Sequence, residues 1–161
     1  MQEVLSGFIS RNTKYYYFYP MRPLDLIILI DDDETTNHVN LRTLKRTNVA
    51  KDVKIFMNGE QALDYLKSVP QPGGASPTYP DLIFLDIKMP IMDGFEFLES
   101  YQQLNLHHTI PTQIMMLTSS ASFYDLNRLE KYEVVKRHFP KPLTDYDVKQ
   151  IIHDFFPKNL D

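Results

Sequence analysis

The sequence predicts an α/β protein whose parallel sheet is covered by helices on both faces. Five short apolar runs alternate with five amphipathic segments along the 161 residues. The first run, residues 26–30, is continuous and rich in β-branched side chains, which is typical of a strand buried on both faces. Strands that alternate with helices favour parallel pairing through right-handed crossovers. We therefore expect a doubly wound (βα)5 three-layer sandwich.

The individual elements follow from apolar periodicity. The charges of the last predicted strand indicate an edge position in the sheet. Thr144, with Asp147 three residues later, predicts the N-terminal cap of the last helix. Strands are predicted at 26–30, 53–56, 81–85, 113–117 and within 134–139, and helices at 36–46, 61–67, 94–104, 124–132 and around 148–155.

Composition excludes several classes of function. The net charge is −4 and Lys and Arg form no block, so binding to nucleic acid or to an anionic membrane is not expected. Without cysteine, the chain cannot form disulfides, thiolate metal sites or a cysteine nucleophile. The apolar runs are too short to span a bilayer. We expect a cytoplasmic protein that is a monomer or a weak dimer.

The chain is predicted to contain one domain, at residues 24–157. Residues 1–23 are predicted to be a flexible or non-native extension, because the aromatic run at 15–19 has neither strand nor helix periodicity. Four prolines and two adjacent glycines predict a loop at 70–80. Residues 158–161 are predicted to be a short tail. Such a tail has no room for an effector, so we expect the protein to signal in trans.

Polar side chains follow four of the predicted strands. Asp31 and Asp32 follow the first, Asp86 the third, Thr118 the fourth and Lys141 the fifth. The carboxyl ends of parallel strands lie at one edge of the sheet, where ligands bind. Clustered carboxylates repel one another unless a cation neutralises them, and oxygen ligands suit Mg²⁺. A nearby ammonium and hydroxyl complete the groups that phosphoryl transfer requires.

The same residues lie in motifs that match a known family. The string at 85–94, Leu-Asp-Ile-Lys-Met-Pro-Ile-Met-Asp-Gly, is highly specific. Together with Ile30-Asp31-Asp32, Leu117-Thr118-Ser119 and Lys141-Pro142, it resembles the response regulator receiver domains of two-component signalling. The resemblance extends over residues 24–156. It implies a flavodoxin-like fold with strand order 2-1-3-4-5.

The resemblance also implies a phosphorelay function. Asp86 would be the nucleophile, taking a phosphoryl group from a phosphohistidine of a sensor histidine kinase or a histidine phosphotransfer protein. Asp32 and Asp86 would bind Mg²⁺ directly, Asp31 through water, and Lys88 through its backbone carbonyl. The protein would then catalyse its own phosphorylation and dephosphorylation, and would not be an enzyme acting on other substrates.

Further roles are implied on the phosphate side of the site. Thr118 and Lys141 would hold phosphate oxygens, and Thr118 would move on activation. His138 occupies the switch position three residues before the lysine, where an aromatic residue is usual in the family. The peptide between Lys141 and Pro142 would be cis. Structural roles are implied for Pro90, Asp93, Gly94 and Pro142.

Three alternative functions are compatible with parts of the sequence. Asp31 and Asp33 after an apolar strand also match the first motif of haloacid-dehalogenase-like phosphatases, in which Asp31 is the nucleophile and Asp33 the acid/base. A flavin-binding protein of similar fold lacks support, because no Ser/Thr/Gly-rich loop follows the first strand. A receiver-shaped adaptor that takes no phosphate would not need the acidic residues. Asp33 and Glu34 are also good residues for the start of a helix.

Overall fold

The computed structural model describes residues 22–69, 79–105, 111–119 and 122–160. The predicted N-terminal extension lies outside these residues except for Arg22 and Pro23, and the predicted loop lies outside them except for Tyr79 and Pro80. In the described residues, five strands alternate with five helices. None of these helices is both long and apolar enough to cross a membrane.

The five strands and five helices occur in the predicted order. The strands are β1 (Leu24–Ile30), β2 (Ala50–Phe56), β3 (Leu82–Asp86), β4 (Gln113–Thr118) and β5 (Val135–Pro140). The helices are α1 (Glu34–Thr47), α2 (Gly59–Ser68), α3 (Gly94–Gln103), α4 (Phe123–Leu129) and α5 (Asp145–Phe155).

All neighbouring strands are parallel, and the sheet order is β2-β1-β3-β4-β5. This confirms the predicted doubly wound sandwich, its strand order and the edge position of β5. The register aligns Ile30 with Leu85, and Thr118 with Pro140. The residues that follow β1, β3, β4 and β5 therefore lie at the same edge of the sheet.

Two apolar layers cover the sheet, as expected for a strand buried on both faces. In β1, Ile28 belongs to the layer that packs against α2 and α3, whereas Ile27 and Leu29 belong to the layer that packs against α1 and α5. Both Ile27 and Ile28 are fully buried. Alternating burial of β-branched side chains on two faces explains why this run shows no polar alternation.

Polar caps fix where the helices begin. Thr144 caps α5 and forms a reciprocal capping box with Asp147, which confirms the predicted cap. Asp93 does the same for α3 with Glu96. The N-cap residues of the five helices, in chain order, are Asp33, Asn58, Asp93, Ser122 and Thr144.

Some boundaries differ from those predicted by periodicity. Helix α1 begins two residues earlier, at Glu34, because the Asp33 side chain caps it. Helix α4 ends at Leu129 rather than at Tyr132, and Tyr132 packs into the core from a turn. Strand β2 begins three residues earlier than predicted, at Ala50, because backbone pairing with β1 extends beyond its apolar residues.

The two ends of the described fold are joined. The Arg22 N–H donates to the Asn159 carbonyl at 2.8 Å, and the Asn159 side-chain amide donates to the Arg22 carbonyl at 2.9 Å. A 3₁₀ turn over Pro157–Asn159 brings Asn159 into this position, and Leu160 packs against the core. The residues after α5 are therefore part of the packed structure up to Leu160.

Gly94, the first residue of α3, allows the loop after β3 to close on the strand. Its N–H donates to the Ile87 carbonyl at 2.9 Å. A methyl group on Gly94 would lie 2.4 Å from the backbone oxygen of Asp86 and 3.0 Å from the Cα of Ile87. Both contacts are with backbone, so a side chain at this position displaces the end of β3.

We predict that Gly94→Ala lowers the free energy of unfolding by about 1–3 kcal/mol, because it overpacks a backbone contact. Gly59→Ala is the matched control, since Gly59 is also the first residue of its helix. The added methyl group there would meet mainly the flexible side chain of Met92, at 2.9–3.0 Å. Urea denaturation of both variants measures the difference. Equal losses of stability would contradict the assigned role of Gly94.

Candidate functional site

Four strand ends bring the predicted site residues to one crevice. Asp31 follows β1, Asp86 is the last residue of β3, and Thr118 is the last residue of β4. Lys141 follows β5, and its backbone N–H donates to the Thr118 carbonyl at 3.0 Å. Parallel pairing places these residues at one level because the strands share a direction and a register.

Both carboxylate oxygens of Asp31 are engaged inside the crevice. Oδ1 accepts a hydrogen bond from the Asp33 N–H at 2.9 Å, and Oδ2 accepts one from Lys141 Nζ at 2.7 Å. The Asp31 side chain is 3% exposed. A buried charge requires such partners, because burial without them is strongly unfavourable. The turn after β1 and the loop after β5 therefore meet at this carboxylate.

Lys141 also pairs with Asp86, whose carboxylate lies beside that of Asp31. The Lys141 Nζ is 3.2 Å from Asp86 Oδ2, and the two side chains are 11% and 6% exposed. One ammonium group thus bridges two buried carboxylates from different strands. This arrangement holds the Asp86 carboxylate, at the end of β3, beside a fixed positive charge.

The contacts within the crevice raise the pKa values of both Asp86 and Lys141. Burial, followed by the charge of Asp31, raises the pKa of Asp86, and Lys141 and a backbone hydrogen bond from Lys88 only partly oppose this. Burial alone would lower the pKa of Lys141, but its bond to Asp31 and the charges of Asp86 and Asp31 outweigh burial and raise it. Lys141 is therefore a stable cation, and ionised Asp86 is incompletely compensated.

Asp32 adds a third carboxylate at the solvent side. In the described residues, ligand atoms of Asp31, Asp32 and Asp86 lie within 4.8 Å of one another, with Asp32 exposed and the other two buried. Three carboxylates against one ammonium leave two negative charges, which a divalent cation would balance. The donors are all oxygen, as Mg²⁺ prefers. The residues therefore fit a magnesium ion.

The remaining predicted residues lie in the same strands or in the segments that follow them. Thr118 is 7% exposed at the end of β4. Lys88 has an exposed side chain, and its backbone forms a hydrogen bond with Asp86. His138 is an exposed residue of edge strand β5, paired in register with Met116 of β4. The peptide between Lys141 and Pro142 is cis, as the resemblance implied.

The loop between β3 and α3 forms one wall of the crevice. Asp93 accepts hydrogen bonds from the N–H groups of Phe95 and Glu96, both at 2.9 Å, so its carboxylate caps α3 and lies outside the acidic cluster. Pro90 is exposed, and its carbonyl accepts a hydrogen bond from the Met92 N–H at 2.8 Å. These contacts shape the loop that carries the backbone of Lys88.

Asp33 caps helix α1 and, unlike Asp31 and Asp32, does not belong to the acidic cluster of the described residues. Its carboxylate accepts hydrogen bonds from the N–H groups of Thr35 and Thr36, at 2.8 and 3.1 Å. The backbone hydrogen bond from Thr36 is the main cause of a lowered pKa of Asp33. Asp33 is therefore an ionised helix cap, as the helix-start interpretation expected.

One polar contact near the site, between Asn37 and the Asp31 backbone, was not predicted from sequence periodicity. Asn37, on α1, is 3% exposed, and its side-chain amide donates to the backbone carbonyl of Asp31 at 2.7 Å. The available signal was an amide in a position where an apolar side chain is normal.

Comparison with known proteins agrees with this geometry. Residues 27–153 match the family model described as the response regulator receiver domain, which is most of the chain. The chain belongs to the response regulator receiver domain family. It is therefore a receiver domain of two-component signal transduction, and the resemblance seen in its motifs is confirmed. Receiver domains bind Mg²⁺ at an acidic pocket and interact with histidine kinases or phosphotransfer proteins.

Individual relatives are distant in sequence. The receiver is 29% identical over 129 residues to the probable methanogenesis regulatory protein FilR2 of Methanothrix harundinacea, covering 80% of this chain and 79% of that protein. It is 27% identical over 139 residues to hybrid signal transduction histidine kinase L of Dictyostelium discoideum, covering 84% of this chain but 8% of that protein.

A solved structure shows the same fold. The crystal structure of a two-component response regulator from Cytophaga hutchinsonii superposes with a TM-score of 0.74 at 24% sequence identity. The match covers 84% of this chain and 99% of that chain. At this level of identity, the likeness supports the fold of the receiver rather than the roles of its residues.

We predict that Asp86→Asn melts a few degrees higher than the wild type in chelator at neutral pH. A carboxyl whose pKa is raised by folding binds its proton more tightly in the folded state. The free energy of unfolding therefore falls as the pH rises from the unfolded-state pKa of Asp86 to its higher folded-state pKa, and it stays lower above that pH. The amide removes that loss. Thermal melts should also show the difference shrinking as the pH is lowered through this interval.

Addition of Mg²⁺ should make the wild type melt at a higher temperature than Asp86→Asn. Binding only to the folded state stabilises the wild type by about 1.4 kcal/mol at roughly ten times the dissociation constant. Asp86→Asn should gain less, because a neutral amide replaces one of the three carboxylates of the cluster. Asp93→Asn is the control outside the acidic cluster and should gain as much as the wild type. If wild type and Asp86→Asn respond equally to Mg²⁺, Asp86 does not contribute to the metal site.

Proposed function

We propose that this receiver is a phosphoacceptor switch in which Asp86 takes a phosphoryl group from a phosphohistidine. The observation that carries the proposal is the buried ion pair of Asp86 with Lys141, at 3.2 Å, in a crevice that also contains Asp31 and Asp32. A carboxylate at a strand end, beside a fixed cation, can act as a nucleophile towards phosphorus. Phosphoryl transfer depends mainly on such positioning and charge neutralisation.

The transfer step involves a single substitution at phosphorus. A carboxylate oxygen of Asp86 attacks the phosphoryl group, and the new O–P bond forms as the N–P bond to the donor imidazole breaks. The imidazole leaves with the electron pair of that bond. Lys141, held by Asp31 at 2.7 Å, presents its ammonium group to the phosphoryl oxygens. Thr118 offers a hydroxyl at the end of the neighbouring strand.

Asp32, Asp86 and the backbone carbonyl of Lys88 would hold Mg²⁺ directly, with Asp31 holding it through water. When bound, the ion supplies positive charge that offsets the repulsion among the carboxylates and the transferred phosphoryl group. The proposed roles divide the crevice into two sides. The acidic residues after β1 and β3 bind the cation, and Thr118 and Lys141 bind the phosphoryl oxygens.

The acyl phosphate on Asp86 would be hydrolysed in the same crevice. Water attacks phosphorus, the O–P bond to Asp86 breaks, and inorganic phosphate leaves while the carboxylate is restored. Lys141 neutralises charge in this direction as well. The receiver would thus catalyse its own phosphorylation and dephosphorylation, and the balance of the two rates would set the lifetime of the signal.

We further propose that phosphorylation signals in trans through Thr118 and His138. Thr118 is buried at the end of β4, whereas His138 is exposed on the adjacent edge strand β5. Movement of Thr118 towards the phosphoryl group would leave room for His138 to follow inward. A partner would read this change only if it binds one of the two conformations better.

A phosphatase of the haloacid-dehalogenase type is less well supported. That function requires Asp33 as a free acid/base, but its carboxylate accepts two backbone hydrogen bonds at the start of α1. It would also leave Asp86 without a role, although Asp86 is buried beside Lys141. The proposed receiver function gives roles to both Asp86 and Lys141.

The test is phosphorylation by acetyl phosphate with Mg²⁺, followed by intact-protein mass spectrometry. The wild type should gain one phosphoryl group, and Asp86→Asn should gain none while keeping a wild-type far-UV circular dichroism spectrum. Amide replaces carboxylate with little change of volume, so loss of labelling reports loss of the nucleophile.

Two further variants distinguish the candidate functions. Asp31→Asn should slow labelling without abolishing it, since Asp31 supports the cation and Lys141. Asp33→Asn should label at the wild-type rate, because asparagine also caps helices. Wild-type labelling of Asp86→Asn, together with loss of labelling in Asp31→Asn, would contradict the proposal and favour the phosphatase.

A further inference from the structure

The buried face of α1 carries polar side chains where a core-facing helix is normally apolar. Asn37, Asn40 and Thr43 follow one another at intervals of three residues. All three are buried, at 3%, 1% and 3% exposure. Helices that cover a sheet usually bury aliphatic side chains on this face. The polar side chains of this face therefore require a specific explanation.

Two of these residues bind the same amino acid in the loop after β5. The Oδ1 of Asn40 accepts a hydrogen bond from the Leu143 N–H at 2.8 Å. The hydroxyl of Thr43 donates to the Leu143 carbonyl at 3.3 Å. Both polar groups of the Leu143 backbone are thus held by one helix, and the Leu143 side chain is 2% exposed.

Leu143 is two residues beyond Lys141. The Lys141 Nζ must reach Asp31 at 2.7 Å and Asp86 at 3.2 Å at the same time. On the strand side, the Lys141 N–H is bound to the Thr118 carbonyl. On the other side, two residues along the chain, the backbone of Leu143 is held by α1.

Two further side chains of α1, those of Asn37 and Arg46, hold the flanking segments. Asn37 donates to the Asp31 carbonyl at 2.7 Å, on the acidic side of the crevice. Arg46 forms a bidentate ion pair with Asp145, at the start of α5. Helix α1 therefore contacts the backbone on the cation side and on the phosphoryl side of the site.

These contacts are accompanied by an energetic penalty. The Asn37 Oδ1 and the Asn40 Nδ2 are buried and have no hydrogen-bond partner within the described part of the chain. An unpaired buried polar atom costs about 1–3 kcal/mol. Aliphatic side chains on this face would avoid that penalty, so the fold alone does not account for the amides.

We infer that Asn40 and Thr43 are positioning residues that place the Lys141 ammonium group for phosphoryl binding through their bonds to Leu143. The inference rests on the proposed function, in which Lys141 binds phosphoryl oxygens. This role affects the phosphoryl side of the crevice and not the cation side. Loss of a bond to Leu143 moves Lys141, whereas the backbone that carries the three carboxylates, at the ends of β1 and β3, stays in place.

The test variant is Thr43→Val, which removes the hydroxyl and keeps the branched shape. Thr47→Val is the matched control, because among the described residues the Thr47 hydroxyl bonds only within α1, to the carbonyls of Thr43 and Leu44. Thr43→Ser keeps the hydroxyl and should restore wild-type behaviour. Asn40→Ala removes the other bond and serves as a second variant. All measurements are made at a temperature where circular dichroism shows each variant folded.

Two binding constants are measured by calorimetry: that of Mg²⁺ alone and that of beryllofluoride in saturating Mg²⁺. Thr43→Val and Asn40→Ala should weaken beryllofluoride binding by about tenfold, since small misplacements of a binding group have large effects. Their Mg²⁺ dissociation constants should stay within about twofold of the wild type. Thr47→Val and Thr43→Ser should match the wild type in both constants.

The ¹⁵N resonance of the Lys141 ammonium group gives a readout without metal or phosphoryl analogue. In the wild type, its bonds to Asp31 and Asp86 slow hydrogen exchange, and Thr43→Val and Asn40→Ala should shift or broaden the signal. If Thr43→Val and Asn40→Ala match Thr47→Val in the resonance and in both constants, the inference is wrong. Equal weakening of Mg²⁺ and beryllofluoride by either variant would also overturn it.

The phosphoacceptor function and the positioning role of Asn40 and Thr43 can be tested separately. If the wild type does not bind beryllofluoride in Mg²⁺, the proposed phosphoacceptor function fails. The Lys141 resonance then still decides whether Asn40 and Thr43 position the ammonium group, since that measurement requires no phosphoryl chemistry.

Discussion

Two carboxylates that share one ammonium group are buried at the carboxyl edge of the sheet, and the rest of the site is arranged around them. Asp31 and Asp86 come from adjacent strands, and Lys141 reaches both, at 2.7 and 3.2 Å. Burial, followed by repulsion from the like charge of Asp31, raises the pKa of Asp86. The surrounding backbone must therefore be held firmly enough to keep the three groups together. It must also leave an opening for a cation at Asp32.

The loop after β3 meets this requirement through unusual backbone geometry. Gly94 lies so close to Asp86 that any side chain would collide with its carbonyl. Ile91, which is 75% exposed, has a φ of 73°, a conformation that β-branched residues rarely adopt. The Met92 N–H closes a three-residue turn around it by donating to Pro90. Strain of this kind, in the loop that follows Asp86, indicates a functional constraint on the loop.

Much of the fold could be predicted from the sequence, because its strands are buried on both faces. The apolar run of β1 and the motif beginning at Asp86 identified the sheet and its acidic edge. Element ends were less predictable: α4 ends at Leu129 because Tyr132 enters the core from a turn, which helical periodicity does not distinguish. The buried amides of Asn37 and Asn40 were not predicted, since their partners are backbone groups. One of these, on Leu143, is more than a hundred residues away from Asn40 in the chain.

The most direct measurement is the location of the acyl phosphate in the unmodified protein. After reaction with acetyl phosphate and Mg²⁺, borohydride reduces an aspartyl phosphate to homoserine, and peptide sequencing by mass spectrometry identifies its position. We expect homoserine in place of Asp86, and only when Mg²⁺ is present. Homoserine at Asp31, or an unchanged Asp86 in protein that has demonstrably been phosphorylated, would contradict it.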